Sequence, residues 1–490
     1  MGIPTFFPLN TAVNALETMQ QAQSVVGNNI ANANTTGYAQ ETPVIVEATE
    51  YPPVGQFNVG GQIGEGSVVK EVVRQTSAYI DQQNRTNQGQ AQMYTALSNG
   101  LTQIQGILNE PSSNGLQNAM DQFFSSWQVL SSDPSSTAAR QAVISQAQAM
   151  AQTFGTTTNQ LESLQSSLTD QVYGSADFTS SSTAVGGEFG ELNQYAQQIA
   201  TLNQQIVQVE QTGESPNSLL DQRGVFLDKM SNLANISYSE STDASDHGAI
   251  TVSLGGIQIV PASGAATALT VADVSTLVTN GTITSGTIAG NLQTIQETGS
   301  LLSQLNTFLT TLSTSVNRIQ TSGYGLNGTT QGPELFQMSG NGVPTTDSAG
   351  NVVLSLNSSF APTTSSNMPN TIAPTLIAAS TESNQPGNNT NALAMVALQS
   401  DTSAYSGGTF DEGLEQMVSS VGVEANSVKS SLQTANALAQ QSSNMQQSIS
   451  GVDTNQQAAL MVQYQNSFNA AAQFISVYNQ MLQTLISTVS

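Results

Sequence analysis

Five large apolar residues recur every seven positions at the C-terminal end of this chain: Met461, Phe468, Ile475, Leu482 and Val489. A second row, Tyr464, Ala471, Tyr478 and Leu485, keeps the same period beside the first, and Leu460, Phe474 and Met481 widen the band. A seven-residue apolar repeat holds one seam of a helix toward a partner helix, which is the geometry of a coiled coil. As one helix, residues 452–490 would run roughly 58 Å at ~1.5 Å per residue. Each large side chain left exposed along it would forfeit ~1.5–3 kcal/mol of burial. Such a helix needs a partner.

The other end of the chain offers one. Leu9, Ala12, Val13, Leu16, Met19, Val26 and Ile30 fall on one helical face at three- and four-residue steps, with Gln23 interrupting the stripe. Either terminal helix could pack onto its own domain. Neither carries the flanking charges that specify a two-stranded register. The sharper expectation is that the two ends pair, and that neighbouring subunits complete their burial.

Between the ends, helical spacing covers residues 78–110, 116–130, 189–212, 291–322 and the stretch from Asn391 onward. Asp133 before Pro134 and Ser215 before Pro216 read as N-caps with proline at the first helical position, the second helix running to about Leu233. Residues 249–260 place two alternating apolar runs around Gly255 and Gly256, a hairpin signal. Strand-like sequence is expected to continue to about Gly290. Residues 325–390 are again loop-rich, with a strand candidate at 351–356. The expected fold is mainly α with β insertions. An elongated stem would combine paired N- and C-terminal helices with an antiparallel helix bundle, and small β-rich domains would sit at its distal end. The expected divisions are 1–45 plus 450–490 for the terminal coiled coil, and 46–235, 291–322 and 391–449 for the bundle. The β insertions would be 236–290 and 325–390.

Composition narrows the function. The chain has 490 residues, 8% of them charged and 38% hydrophobic, a formal net charge of −25 and no cysteine. Eight basic residues, scattered along the sequence, cannot neutralise a run of phosphates, so nucleic acid and anionic membrane surfaces are not expected partners. No stretch approaches the ~20 apolar residues of a membrane span, and the N-terminus lacks the pattern of a cleavable signal. Without cysteine, disulfides and thiolate metal sites are excluded.

The inventory for catalysis is thin. His247 is the single histidine, and Asp243 and Asp246 near it could complete a metal site, but Asp-His-Gly before a strand also makes an ordinary polar turn. The glycines of 60–66 match no phosphate-binding loop and instead suit turns between short strands. Asp411 and Glu412 stand at a helix start, where negative charge is favourable. Trp127, Phe123 and Phe124 read as core. No cofactor, metal or catalytic group is expected.

Residues 28–38, NNIANANTTGY, end the first helix in polar residues and a glycine. They resemble the N-terminal signature shared by flagellar rod, hook and hook-associated axial proteins, carried here by Asn28, Asn29, Ile30, Asn32, Asn34, Thr35, Gly37 and Tyr38. Residues 64–85, 218–233, 323–328, 377–380, 386–398 and 450–485 are similar, in kind and order, to segments of the hook-associated protein 1 family. Two departures stand out. Gly224 occupies a position usually acidic, which is expected to loosen a local contact. Thr454, Asn455, Gln456 and Gln457 replace acidic residues at the start of the last helix, so charge-based contacts are not expected there.

The resemblance implies a structural subunit of the bacterial flagellum joining hook to filament. It would leave the cytoplasm by type III export, with a cytoplasmic chaperone on its C-terminal helix. It would then self-associate in a ring between hook protein and hook-associated protein 3, outside the cell. Another axial protein is the main alternative, and a secreted surface-binding module a more distant one.

Overall fold

Backbone hydrogen bonding follows the three- and four-residue apolar spacing along most of the chain. The computed structural model describes residues 7–48, 64–174, 185–243, 245–339, 343–360, 373–406 and 408–489. Helix α1 (Phe7–Asn32) is followed by strands β1 (Glu41–Glu47) and β2 (Ser67–Arg74) and helices α2 (Ala78–Leu108), α3 (Leu116–Ser132), α4 (Thr137–Tyr173), α5 (Gly187–Gln211) and α6 (Asn217–Leu233). Strands β3 (Ile236–Glu240), β4 (Ile250–Leu254) and β5 (Ile257–Val260) come next, then α7 (Val271–Thr279) and α8 (Gly286–Ser322). The chain ends in α9 (Ala373–Leu376), α10 (Thr390–Gln399), α11 (Phe410–Ser450) and α12 (Thr454–Val489). The fold is mainly α with small antiparallel sheets, as the sequence pattern requires.

Two compact units divide the chain. The first takes residues 1–92, 176–288 and 434–490, the second 93–175 and 289–433. This cut differs from the three-part division expected: residues 236–288 fall in the unit that holds both chain ends.

In the first unit, β1 and β2 pair antiparallel from Glu41 opposite Arg74 to Glu47 opposite Ser67, and both lie against α1. This hairpin occupies a stretch assigned in part to the helical bundle. Helix α5 buries Leu192, Ala196, Ile199 and Ile206 and packs on α6. The expected hairpin forms: Leu254 faces Ile257 across Gly255 and Gly256, both at positive φ, and β3 joins the other edge of β4.

The strand reading fails beyond Val260. Residues 271–279 are helical because Thr270 accepts from Asp273 N while the Asp273 carboxylate accepts from Thr270 N, a capping box that starts α7. Helix α8 then begins at Gly286, five residues before its expected start. The Ser215 cap is also corrected: Pro216 itself is the N-cap, without a side-chain bond, and its carbonyl accepts from Leu219 and Leu220.

In the second unit, α3, α4, α8, α10 and α11 enclose a continuous apolar core. Phe123, Phe124 and Trp127 belong to it, all at most 1% exposed. Phe123 meets Phe336 with ring centroids 6.1 Å apart, and Phe308 packs edge-on to Phe410 at 5.5 Å. The cap of α4 is Ser136, whose hydroxyl accepts from Ala139 N, so Asp133 is not the cap; it ends α3 instead. That shift leaves the Pro134 carbonyl free to accept from Arg140 Nε at 3.0 Å and Nη2 at 2.7 Å. Arg140 also donates to the Ile377 carbonyl, and burial pushes its pKa down to about 10.

Residues 325–390 make isolated bridges, such as Phe336 with Leu356 and Thr346 with Val352, rather than the expected strand at 351–356. A side chain holds the segment opposite. Asn317 on α8 accepts from Leu335 N and Phe336 N, each at 2.9 Å, and donates to Phe336 O at 2.9 Å.

Candidate assembly interface

The two chain ends pair. A Cβ placed at Gly27 would touch Met461 Cε at 3.9 Å, and Asn29 Nδ2 donates to Gln457 Oε1 at 3.0 Å. Moving back along α1 therefore moves forward along α12, so the pair is antiparallel. On α1, Val26 is buried, Leu9, Leu16 and Met19 are half-buried, and Val13 and Ile30 are each 38% exposed.

Helix α12 splits its apolar residues into two rows. Leu460, Met461, Tyr464, Phe468, Ala471, Ile475, Tyr478 and Leu482 are half-buried. Phe474, Met481 and Leu485 are not brought into the pair: they are 50%, 62% and 59% exposed, in line with Val477 at 56%. The Val489 side chain lies outside the described residues. The first seven-residue row is thus half-covered as far as Leu482 while its flank stays open, because one helix shields only one side of another.

At the closed end of the pair, the axial signature forms a hydrogen-bonded knot around Asn29. This buried amide donates to Glu41 O at 2.8 Å and to Gln457, and accepts from Tyr38 Oη at 2.8 Å and Glu41 N at 2.9 Å. All four of its bonding positions are used. Asn28 donates to Tyr38 Oη and Glu41 Oε2, Asn32 donates back to Asn28, and Thr35 donates to Asn32 Oδ1. Asn34 points to solvent. Gly37 adopts φ +80°, and a Cβ there would come within 2.2 Å of Val225 Cγ2, so both the turn and the approach of α6 require glycine. Burial first, then the carboxylates of Glu41 and Asp221, hold the Tyr38 phenol well above its ordinary pKa.

Helix α6 fastens this knot to the rest of its unit. Asp221 accepts from Arg74 Nε at 2.8 Å and from Ala39 N at 3.5 Å. Burial still raises the Asp221 pKa despite the guanidinium beside it. Arg223 donates to Asn203 Oδ1 at 3.2 Å and Gly248 O at 2.5 Å, and burial lowers its pKa to about 10. His247 lies in a turn, where Nδ1 meets Glu210 Oε2 at 2.7 Å and that contact raises its pKa. Among the described residues no three His, Cys, Asp or Glu side chains converge as metal ligands.

Sequence reasoning missed Gln457 as a contact and read it only as a lost charge. It is 1% exposed and joins the two chain ends. Asp453, also unremarked, caps α12 by accepting from Asn455 N at 2.9 Å and Gln456 N at 3.3 Å. The available signal was positional: a polar residue on the apolar face, four before Met461.

Comparison with known proteins places these features. Residues 101–336 match the family described as "Flagellar hook-associated protein FlgK helical domain". Residues 9–38 match "Flagella basal body rod protein", and 442–488 match "Flagellar basal body rod FlgEFG protein C-terminal". Flagellar hook-associated protein 1 of Escherichia coli aligns with 98% of the chain and 99% of its own length at 25% identity.

The chain resembles the flagellar hook-associated protein 1 family.

Within that family, the Bacillus subtilis protein is 36% identical over 242 residues, covering 48% of this chain and 45% of its own length. The Salmonella typhimurium protein is 32% identical over 233 residues, covering 47% and 39%. These two matches span less than half of either relative. The hook junction protein of Burkholderia pseudomallei superposes with a TM-score of 0.57 at 17% identity, covering 75% of this chain and all of that one, which shows a shared fold. The matches at 9–38 and 442–488 fall on α1 with its signature and on the end of α11 with α12, the segments that pair.

Proposed function

We propose that this protein is a structural subunit of the bacterial flagellum that joins hook to filament and assembles through its terminal helices. The observation that carries the reading is the half-covered α12. Paired with α1 along one side, it leaves Phe474, Val477, Met481 and Leu485 at least half exposed. A row of large apolar side chains in water is a standing driving force for association. Likeness to the family supports the setting, and the names of the relatives, hook-associated and hook junction proteins, support the location.

On this reading the subunit is exported, with a chaperone on the C-terminal helix beforehand. It forms a ring by self-association and contacts hook protein on one side and hook-associated protein 3 on the other. Its work is mechanical and not enzymatic.

Complementation tests the proposal. A strain lacking the gene should keep hooks but shed filaments, and the full chain should restore them. A chain ending at residue 449 should be exported yet leave filaments detached. Filaments anchored normally by the truncated chain would overturn the assignment to the terminal helices.

A further inference from the structure

Strands β1 and β2 do not pair evenly. Val44 faces Glu71 and Ile45 faces Val69, so Lys70 is the extra residue of a β-bulge. A bulge breaks the ladder locally and re-aims the side chain it carries. The Lys70 side chain is 66% exposed, and among the described residues its ammonium pairs only with Glu71, at 3.9 Å. The register also puts Val68 and Val73 on one face of the hairpin, each more than a third exposed. The other basic residues of the first unit are engaged. Arg74 and Arg85 hold Asp221 and Asp228, Arg223 is buried, and the Lys229 ammonium lies over the Tyr195 and Phe226 rings.

An acceptor for such a cation lies where the axial signature meets α6. A recess of about 300 Å³ opens there among Asn28, Thr35, Tyr38, Glu41, Asp221 and Gln222, and no basic residue lines it among those described. Arg74 occupies Oδ1 of Asp221, leaving Oδ2 with a 3.5 Å contact to Ala39 N. The Glu41 carboxylate accepts a 3.3 Å bond from Asn28. Tyr38, held well above its ordinary pKa by burial and then by these two carboxylates, reports the same unbalanced negative potential. Lys70 of the same chain stands three to four residues along the hairpin from Glu41. That is roughly 10–13 Å at ~3.3 Å per residue, further than a lysine side chain spans.

We infer that Lys70 enters the Glu41–Asp221 recess of a second copy of this chain. Charge complementarity selects that occupant: at a net charge of −25, copies repel unless a cation of one meets carboxylates of the next. Val68 and Val73 lie near the cation in sequence and Val225 lines the recess, so each side of the contact carries apolar surface beside its charge. Donor and recess are different surfaces of one unit. The contact is therefore head-to-tail, the type that can close into a ring. The inference rests on the ring proposed above and names a contact that builds it.

The absence of cysteine makes the test direct. Cells producing full-length Lys70→Cys and Gln222→Cys chains together should yield flagella in which a short bis-maleimide gives a covalent dimer of this chain. Neither variant alone should give one. Separately, Lys70→Glu should lower the fraction of hooks that keep filaments by about tenfold, while Lys70→Arg should leave it near wild type. Dimers from Lys70→Cys alone, a cross-link to a different protein, or equal filament retention by Lys70→Glu and Lys70→Arg would overturn the inference. Absence of the chain from purified flagella would overturn the flagellar reading together with this contact, whereas its presence without the dimer overturns the contact alone.

Discussion

The side chains of Asn29 and Gln457 share a hydrogen bond of 3.0 Å, though 428 residues of chain separate them. Both are essentially inaccessible, at 0% and 1% exposure. The bond ties the end of the first helix to the beginning of the last, and Tyr38 in the following turn and Glu41 at the start of β1 complete it. A buried amide with four partners is worth most through what its removal leaves unpaired. Replacing Asn29 with Ala should cost about 3 kcal/mol, the upper end for one buried polar group, because several partners lose it together. Thermal unfolding would measure this, and a cycle with Gln457→Ala should show coupling between the two positions.

Gly37 and Gly213 separate backbone strain from steric clash. Both lie at positive φ, +80° and +82°, but a Cβ at Gly213 meets nothing within 4 Å while one at Gly37 would come within 2.2 Å of Val225 Cγ2. Gly213→Ala should cost about 1 kcal/mol, from the left-handed conformation alone. Gly37→Ala should cost about 3 kcal/mol or more, because α6 must also move. Equal costs in urea unfolding would show that Val225 yields freely.

The sequence resemblance leads to an acidic residue where Gly224 stands, and the surroundings show what glycine leaves open. A Cβ there has room, its nearest neighbour being Arg85 Nη2 at 3.9 Å. Arg85 already bonds Asp228 at 2.7 Å and the Tyr238 hydroxyl at 2.6 Å. Gly224→Glu should therefore stabilise the protein by about 1 kcal/mol, chiefly from helix propensity, with a smaller contribution from the charge. A lower thermal midpoint for this variant would show that the site is closed to an acidic side chain.

Asp411 should make the second unit sensitive to pH. Burial, then the nearby carboxylate of Asp121, raise its pKa, and only the Gln399 amide opposes them. Its Oδ1 is buried without a partner among the described residues. A carboxyl whose folded pKa is raised favours the folded state when protonated. Its contribution is fully present below the ordinary carboxylate pKa and is lost as pH rises through the folded value. Asp411→Asn should therefore stabilise the protein near neutral pH, and the advantage should shrink on acidification into the carboxylate range. Unfolding midpoints of the two proteins measured at neutral and acidic pH would check the sign.

Much of the helical skeleton was legible because apolar spacing is a local property. The stripes of α5 and α8 name their buried faces directly, those of α1 and α12 name apolar faces that are covered only in part, and the Gly255–Gly256 turn names its hairpin. Errors came where a short local bond outweighs periodicity. The Thr270–Asp273 capping box makes a helix of sequence that reads as strand, and Ser136 displaces Asp133 as cap while Arg140 claims the Pro134 carbonyl. Around 335–356 isolated bridges and the Asn317 side chain, which bonds Leu335 and Phe336, take the place of a regular strand pair, and no alternation of residues reveals that.

The candidate interface divides in the same way. Sequence alone determined that both ends are helices with apolar faces too wide for solvent, that charge would not set their register, and that NNIANANTTGY stops the first of them. Only the tertiary structure decided which row of α12 is covered and that Gln457 is the partner of Asn29. The same holds for the approach of α6 that obliges Gly37 to be glycine. Periodicity fixes which side of a helix is apolar, since it depends on angles within one segment. It cannot say how much of that side a partner reaches, since that depends on the length and path of another segment hundreds of residues away.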